Sequence, residues 1–211
     1  TKQFTSPINV AIPSGNFGNA YSAWFGRSKG LPINEILSST NVNDVLRRFI
    51  ETGELAPEKT LPSVAPSMDI QVPSSLERLI FDFTDSAFDF YDTLSREHKA
   101  KLSDEKIIEL NHVFSSSTFL DDDIKNEIKS LHEEFGAIFD PHSVTSIRMA
   151  LDNKGSIPTV AVATASPEKF SNIIAPLIST SSEIIIDEKE EYLTLENDKF
   201  AISSTIKSYF S

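Results

Sequence analysis

The residues best placed to do chemistry lie near the start of the chain. Val10 to Gly26 reads VAIPSGNFGNAYSAWFG. An apolar run stops at Pro13, a short turn holds two glycines and two asparagines, and a helical pattern follows. A strand that ends in a glycine-rich turn at a helix N-terminus is an anion-binding arrangement. The first turn of a helix has N–H groups with no helical acceptor, and the macrodipole adds about half a positive charge there. Gly15 and Gly18 permit close backbone approach, and Asn16 and Asn19 supply amide donors. The alternative is a tight left-handed turn with nothing bound, and geometry alone does not choose between the two. The segment is not a Walker loop, because GK[ST] is missing, and it lacks the GxGxxG spacing of a dinucleotide site.

Elements on either side must hold such a turn in place. Ile8 to Ile12 reads as a buried strand, Asn19 to Ser28 as a helix, and Ile33 to Ser39 as a second strand. Asn43 or Asp44 caps a helix that closes at Gly53. This alternation predicts a parallel sheet with right-handed crossovers. Thr60 to Pro73 reads as a loop over the sheet edge, and Ser74 to Phe83 as a helix with Leu76, Leu79, Ile80 and Phe83 on one face. Pro141 to Leu151 reads as a helix. Pro158 to Ala163, continuous and β-branched, reads as a central parallel strand. Residues 84–136 are acidic and helical by pattern, an insertion rather than a domain of its own. The tail from 181 to 211 is weakly patterned, with EIII and EYLTL as short strand candidates.

Composition narrows the partners. The 211 residues include 31 acidic and 19 basic ones, a net charge of −12, which argues against nucleic acid or an anionic membrane surface. The acidic runs, Asp121 to Glu134 and Asp187 to Glu196, read as solvated surface. There is no cysteine, so disulfides, thiolate nucleophiles and Cys-ligated zinc are excluded. No apolar stretch reaches the roughly 18–20 residues of a membrane helix, and the first residues resemble no signal peptide. A cytoplasmic location is expected. His98, His112, His132 and His142 are not at metal-ligand spacing, so no metal site is expected. The first three read as surface residues and His142 as a capping or packing residue near a helix start. Asp69, polar in an apolar setting, reads as a loop-ordering carboxylate.

PSGNFGN resembles the phosphate-binding loop of threonine synthase, a fold-type II pyridoxal-phosphate enzyme. Further stretches are similar in the same order: GLPINEILSSTNVNDVLRRFIETGEL, PSMDIQVPSSLERLI, FDPHSVTSIRMAL and VAVATASPEKF. The resemblance implies an α/β, three-layer parallel-sheet domain with an acidic helical insertion, and pyridoxal 5'-phosphate as cofactor. Gly15, Asn16, Phe17, Gly18 and Asn19 match the residues that hold the cofactor phosphate. Thr164 matches the hydroxyl that faces the pyridine nitrogen; by itself it reads as a strand-end threonine capping the next helix. The family's Asp after GNFG is Asn19, the His of its ATAHP is Ser166, and the Asn and Phe before ERL are Ser75 and Leu76. Nothing in the chain matches the family's Schiff-base lysine, which precedes the GNFG loop. Lys29, Lys59 and Lys169 read as surface residues, and no catalytic residue is assigned.

The resemblance therefore implies the C-terminal portion of an enzyme that converts O-phospho-L-homoserine and water to L-threonine and phosphate. Its partners would be a phosphorylated amino acid and the rest of the same enzyme chain. The alternatives are a threonine-synthase-like phospholyase, or a non-catalytic module that binds phosphate or a partner.

Overall fold

Two strands, INVAIP and INEILSST, carry the fold because their side chains alternate between two buried faces. A computed structural model of the chain describes residues 6–84, 86–178, 195–196 and 198–209. It begins with β1 (Ile8–Pro13), α1 (Gly18–Ser28), β2 (Ile33–Thr40), α2 (Val45–Thr52) and the short β3 (Glu54–Leu55). After a long loop come α3 (Leu76–Thr84), α4 (Ala87–Glu97), β4 (Ala100–Lys101), α5 (Asp104–Asn111), β5 (Phe114–Thr118) and α6 (Asp121–Phe135). The described remainder holds α7 (Ser143–Asp152), β6 (Thr159–Ala161), α8 (Ser171–Ile174) and α9 (Lys199–Tyr209).

Among the described residues the main sheet has the order β5-β2-β1-β6, all parallel. Ile12 and Ile36 turn to one face and pack with Ala20, Val45, Phe49 and Leu79 from α1, α2 and α3. Their neighbours Ala11 and Leu37 turn to the other face and meet Met149 of α7. Helices on both faces of a parallel sheet make the expected three-layer α/β domain.

The acidic stretch 84–136 is helical at α4, α5 and α6, and it also supplies a strand. β5 pairs with β2 from Ile36↔Phe114 to Thr40↔Thr118. Its sequence, FSSST, has no apolar period, so the pattern concealed it. Phe114 anchors it: the ring is buried, 5.6 Å from Phe17 and 6.3 Å from Trp24. The Ser116 hydroxyl then donates to the Ser38 carbonyl at 2.6 Å.

Two further expectations need correction. The apolar run at Pro158 to Ala163 is not a central strand among the described residues. β6 pairs with β1 alone and Val160 is 49% exposed, because continuous hydrophobicity measures burial of the faces, and α7 covers one of them here. The 60–73 loop does not lie along an edge. It covers the C-terminal ends of the strands, where Asn41, Asn43 and His142 hold it. The expected EIII strand lies outside the described residues, as does EYLTL apart from Leu195.

Candidate active site

β1 ends at Pro13, and the chain turns at once into α1. Ser14 donates its N–H to the Ser39 carbonyl at 2.9 Å, the last tie between the two strand ends. Beyond it, among the described residues, no protein acceptor takes the N–H groups of Gly15, Asn16, Phe17, Gly18, Asn19 and Ala20. Helical bonding resumes with Tyr21 N–H to Phe17 O at 2.9 Å. α1 has no acidic residue in its first turn and no side-chain cap. α6 carries Asp121, Asp122 and Asp123 in the same position, with Asp123 accepting the Leu120 N–H. Among the described residues, then, no acidic side chain in the first turn balances the positive end of α1.

The turn owes its shape to Phe17 rather than to glycine. Phe17 is the left-handed residue, at φ 69° and ψ 8°. A non-glycine residue there costs about 1–2 kcal/mol. Burial of its ring in the core, against Phe114, offsets that cost. Gly15 has no positive φ; its reason is contact. A Cβ at Gly15 would sit 2.6 Å from the Ser67 carbonyl oxygen and 3.0 Å from Met68 Cα. At Gly18 a Cβ would meet only Ser75 Oγ, at 3.7 Å. Asn16 leans on the next helix: its Oδ1 accepts from the Ser74 N–H at 3.3 Å and the Ser74 hydroxyl at 3.1 Å. Its backbone carbonyl takes the Ser75 N–H at 2.9 Å. The amide NH2 of Asn16 has no protein acceptor among the described residues.

Gly15, Asn16, Phe17, Gly18 and Asn19 line one pocket of about 270 Å³, with Pro13, Ser67, Met68, His142, Thr164 and Ala165. All six residues singled out from the sequence meet there. Thr164 lies beyond the end of β6; its N–H donates to Ser143 Oγ at 2.9 Å, and its exposed hydroxyl has no protein partner among the described residues. Ser166, also exposed, precedes the 3-10 turn Pro167–Phe170. Among the described residues, no lysine lines the pocket. Lys29 sits at the opposite end of α1, over the Phe25 ring.

His142 stands at the N-cap position of α7, packs as a buried residue, and also reaches the pocket. The ring is 3% exposed, its Nδ1 is 2.8 Å from Asp140 Oδ1, and its Nε2 accepts the Ser67 N–H at 3.1 Å. Phe170 packs edge-on at 4.8 Å. Burial pushes the Asp140 carboxyl up, but hydrogen bonds from His142 and Ser143 outweigh it and hold the group below the usual carboxylate range. The sequence signal was Asp-Pro-His-Ser at a helix start, which gives no hint of the Ser67 contact. His98 and His112 are exposed and His132 half-buried; none lines the pocket.

Asp69 is the loop-ordering carboxylate. Its Oδ1 accepts from Asn41 at 2.7 Å, Asn43 at 3.0 Å and the Ser63 hydroxyl at 2.7 Å, and its Oδ2 from the Ser63 N–H at 3.1 Å. Among the described residues no cluster of His, Asp or Glu suits a metal ion, and no helix is long and apolar enough to cross a membrane.

No family model matches the chain. The fold is shared with PLP bound threonine synthase from Brucella melitensis: TM-score 0.86, 24% identity, 99% of this chain and 47% of that one. This is the α/β architecture of the fold-type II class. In sequence the chain is 27% identical to threonine synthase of Pseudomonas aeruginosa over 215 residues, 96% of this chain and 46% of that protein. It is 31% identical to threonine synthase of Methylobacillus glycogenes over 188 residues, 83% of this chain and 39% of that protein. The particular resemblance, then, is to threonine synthase, and it runs along most of the chain. The chain spans less than half the length of these relatives.

Proposed function

We propose that this chain forms the phosphate-binding portion of a pyridoxal-phosphate enzyme, a carbon–oxygen lyase acting on phosphates. The whole enzyme would convert O-phospho-L-homoserine and water to L-threonine and phosphate. One observation carries the reading. The N–H groups from Gly15 to Ala20 have no protein acceptor, and five of those residues line the pocket that Thr164 also lines. A phosphate suits such donors, because each unpaired N–H gains a charge-assisted hydrogen bond in a field that is already positive.

In this role Gly15, Asn16, Phe17, Gly18 and Asn19 hold the phosphate through backbone and amide donors. Gly18 leaves open the space that a side chain would take. The Thr164 hydroxyl would be the partner of the ring nitrogen, a neutral one that would leave that nitrogen less protonated than a carboxylate would. Pyridoxal phosphate, when bound, supplies the electron sink for carbanion chemistry at the substrate. His142 accepts the Ser67 N–H through Nε2 and so orients the wall beside the phosphate. The lysine that captures the cofactor's aldehyde belongs, in this reading, to a further segment of the same enzyme, so this portion alone is inactive. The location is cytoplasmic, and no nucleic acid or membrane takes part.

The full-length protein tests the reading directly. Titration with pyridoxal phosphate is followed by the absorbance of the bound cofactor, and turnover by phosphate and threonine released from O-phospho-L-homoserine. Saturable binding with stoichiometric formation of both products is expected. A protein that binds no cofactor and releases no phosphate would overturn it.

A further inference from the structure

We propose that Asp140 is a positioning residue that hangs both remaining walls of the pocket from one buried carboxylate. The inference deepens the proposed function and rests on it. Asp140 is 1% exposed and lines no part of the pocket itself. Its Oδ1 accepts three hydrogen bonds: the His142 N–H at 2.9 Å, the His142 ring at 2.8 Å and the Ser143 N–H at 3.3 Å. Its Oδ2 accepts the Ser143 hydroxyl.

Each partner passes the constraint on. The backbone N–H of Ser67 can only donate, so His142 Nε2 must present a lone pair to it. The imidazole proton therefore sits on Nδ1, facing Asp140, and the ring is neutral. This holds the Ser67–Met68 backbone where it presses on Gly15, at the root of the phosphate loop. The Ser143 hydroxyl points its hydrogen at Asp140, so its oxygen lone pairs are free to accept the Thr164 N–H at 2.9 Å. One carboxylate thus fixes the floor behind the loop through His142 and the opposite wall through Ser143. The positive field at the pocket comes from the α1 backbone and not from an imidazolium.

The two branches touch different parts of the ligand, and that makes them separable in the full-length protein. Affinities for inorganic phosphate and for pyridoxal phosphate are measured side by side. Ser143→Ala releases only the Thr164 wall. It should weaken pyridoxal phosphate about tenfold, the worth of one hydrogen bond, and leave inorganic phosphate unchanged. His142→Ala releases the floor and should weaken both ligands about tenfold. His142→Gln returns an acceptor oxygen to Ser67 and should restore most of the loss, which a role in packing alone would not produce.

The ¹⁵N spectrum of the wild-type imidazole should show a neutral ring protonated at Nδ1, whatever the variants do. A ring protonated at Nε2, or equal losses of both ligands in Ser143→Ala, would overturn the inference. If the wild-type protein takes inorganic phosphate and shows the Nδ1 proton but ignores pyridoxal phosphate, the proposed cofactor falls while the inference about Asp140 stands.

Discussion

The ends of β1 and β2 lie side by side in the sheet, and each runs into a polar turn rich in asparagine. After β1 comes PSGNFGN; after β2, NVND. At the β2 end, buried Asn41 and Asn43 bond to Asp69, to each other, to Ser63 and to the Ala65 and Leu61 carbonyls. At the β1 end the N–H groups from Gly15 to Ala20 are bonded to no protein group among the described residues. Buried polar groups are almost always paired within the fold, so an unpaired row at the mouth of a pocket is a candidate binding surface and a fully paired cluster is a fastening. Neighbouring strand ends with similar composition therefore serve opposite purposes.

The sharpest way to break this contrast is at Gly15. Gly15→Val drives a branched side chain into the Ser67 carbonyl and Met68 Cα, both backbone atoms that cannot step aside. A loss of about 3 kcal/mol, the upper range for overpacking, is expected, with phosphate binding abolished. Urea unfolding and phosphate titration check it, and unchanged values in both would mean that the loop is free of its neighbour.

At the fastened end the effect falls on stability. Asp69→Ala strands the buried amides of Asn41 and Asn43. About 2 kcal/mol should be lost by denaturant unfolding, with phosphate affinity only indirectly touched. A variant that keeps its stability but loses phosphate would reverse the assignment of the two turns.

Between these extremes stands Asp140. Its native carboxyl titrates below the usual carboxylate range, since hydrogen bonds from His142 and Ser143 overcome the opposing effect of burial. A depressed folded value contributes stability above the unfolded pKa of about 3.9, and that contribution is lost as pH falls through the lower folded value. Asp140→Asn should cost about 1.5 kcal/mol at neutral pH. The gap to wild type should begin to close below about pH 4, the unfolded value, and finish closing as the native carboxyl takes up its proton at its lower folded value. Unfolding midpoints across that range measure the closure, and a gap independent of pH would show that the charge is irrelevant.

The sequence was legible wherever one periodicity governed a segment. β1, β2, α2 and α7 follow from the spacing of apolar residues and from the Gly53 stop, although the Asp44 carboxylate, at the N-cap position of α2, bonds Arg47 and Arg48 and not the helix backbone. That Thr164 would meet Gly15 follows from the resemblance and not from spacing. β5 was hidden because FSSST is held by one buried ring and by pairing with β2, neither of which leaves a pattern in a serine run. His142 was hidden for a related reason: its contacts are to Ser67 and Phe170, and only the folded chain brings them together. Gly15 was singled out for close backbone approach, and the approach seen in the fold is that of a neighbouring loop. Its bare Cα answers to the Ser67–Met68 backbone, and the left-handed turn belongs to Phe17.

Gly18 offers the smallest and cleanest separation of binding from folding. Its Cα lies in α1 with room for a methyl group, the nearest side chain being Ser75 Oγ at 3.7 Å. Gly18→Ala removes unfolded-state freedom at a helical position, so stability should hold or rise by under about 1 kcal/mol. The same methyl group occupies the pocket lining and should weaken phosphate binding, because the Gly18 N–H can then be approached less closely. Thermal unfolding and phosphate titration of one variant read the two effects independently. If stability rises and affinity is unchanged, the unpaired N–H groups of α1 are addressed to nothing, and the β1 turn is no different in kind from the β2 turn beside it.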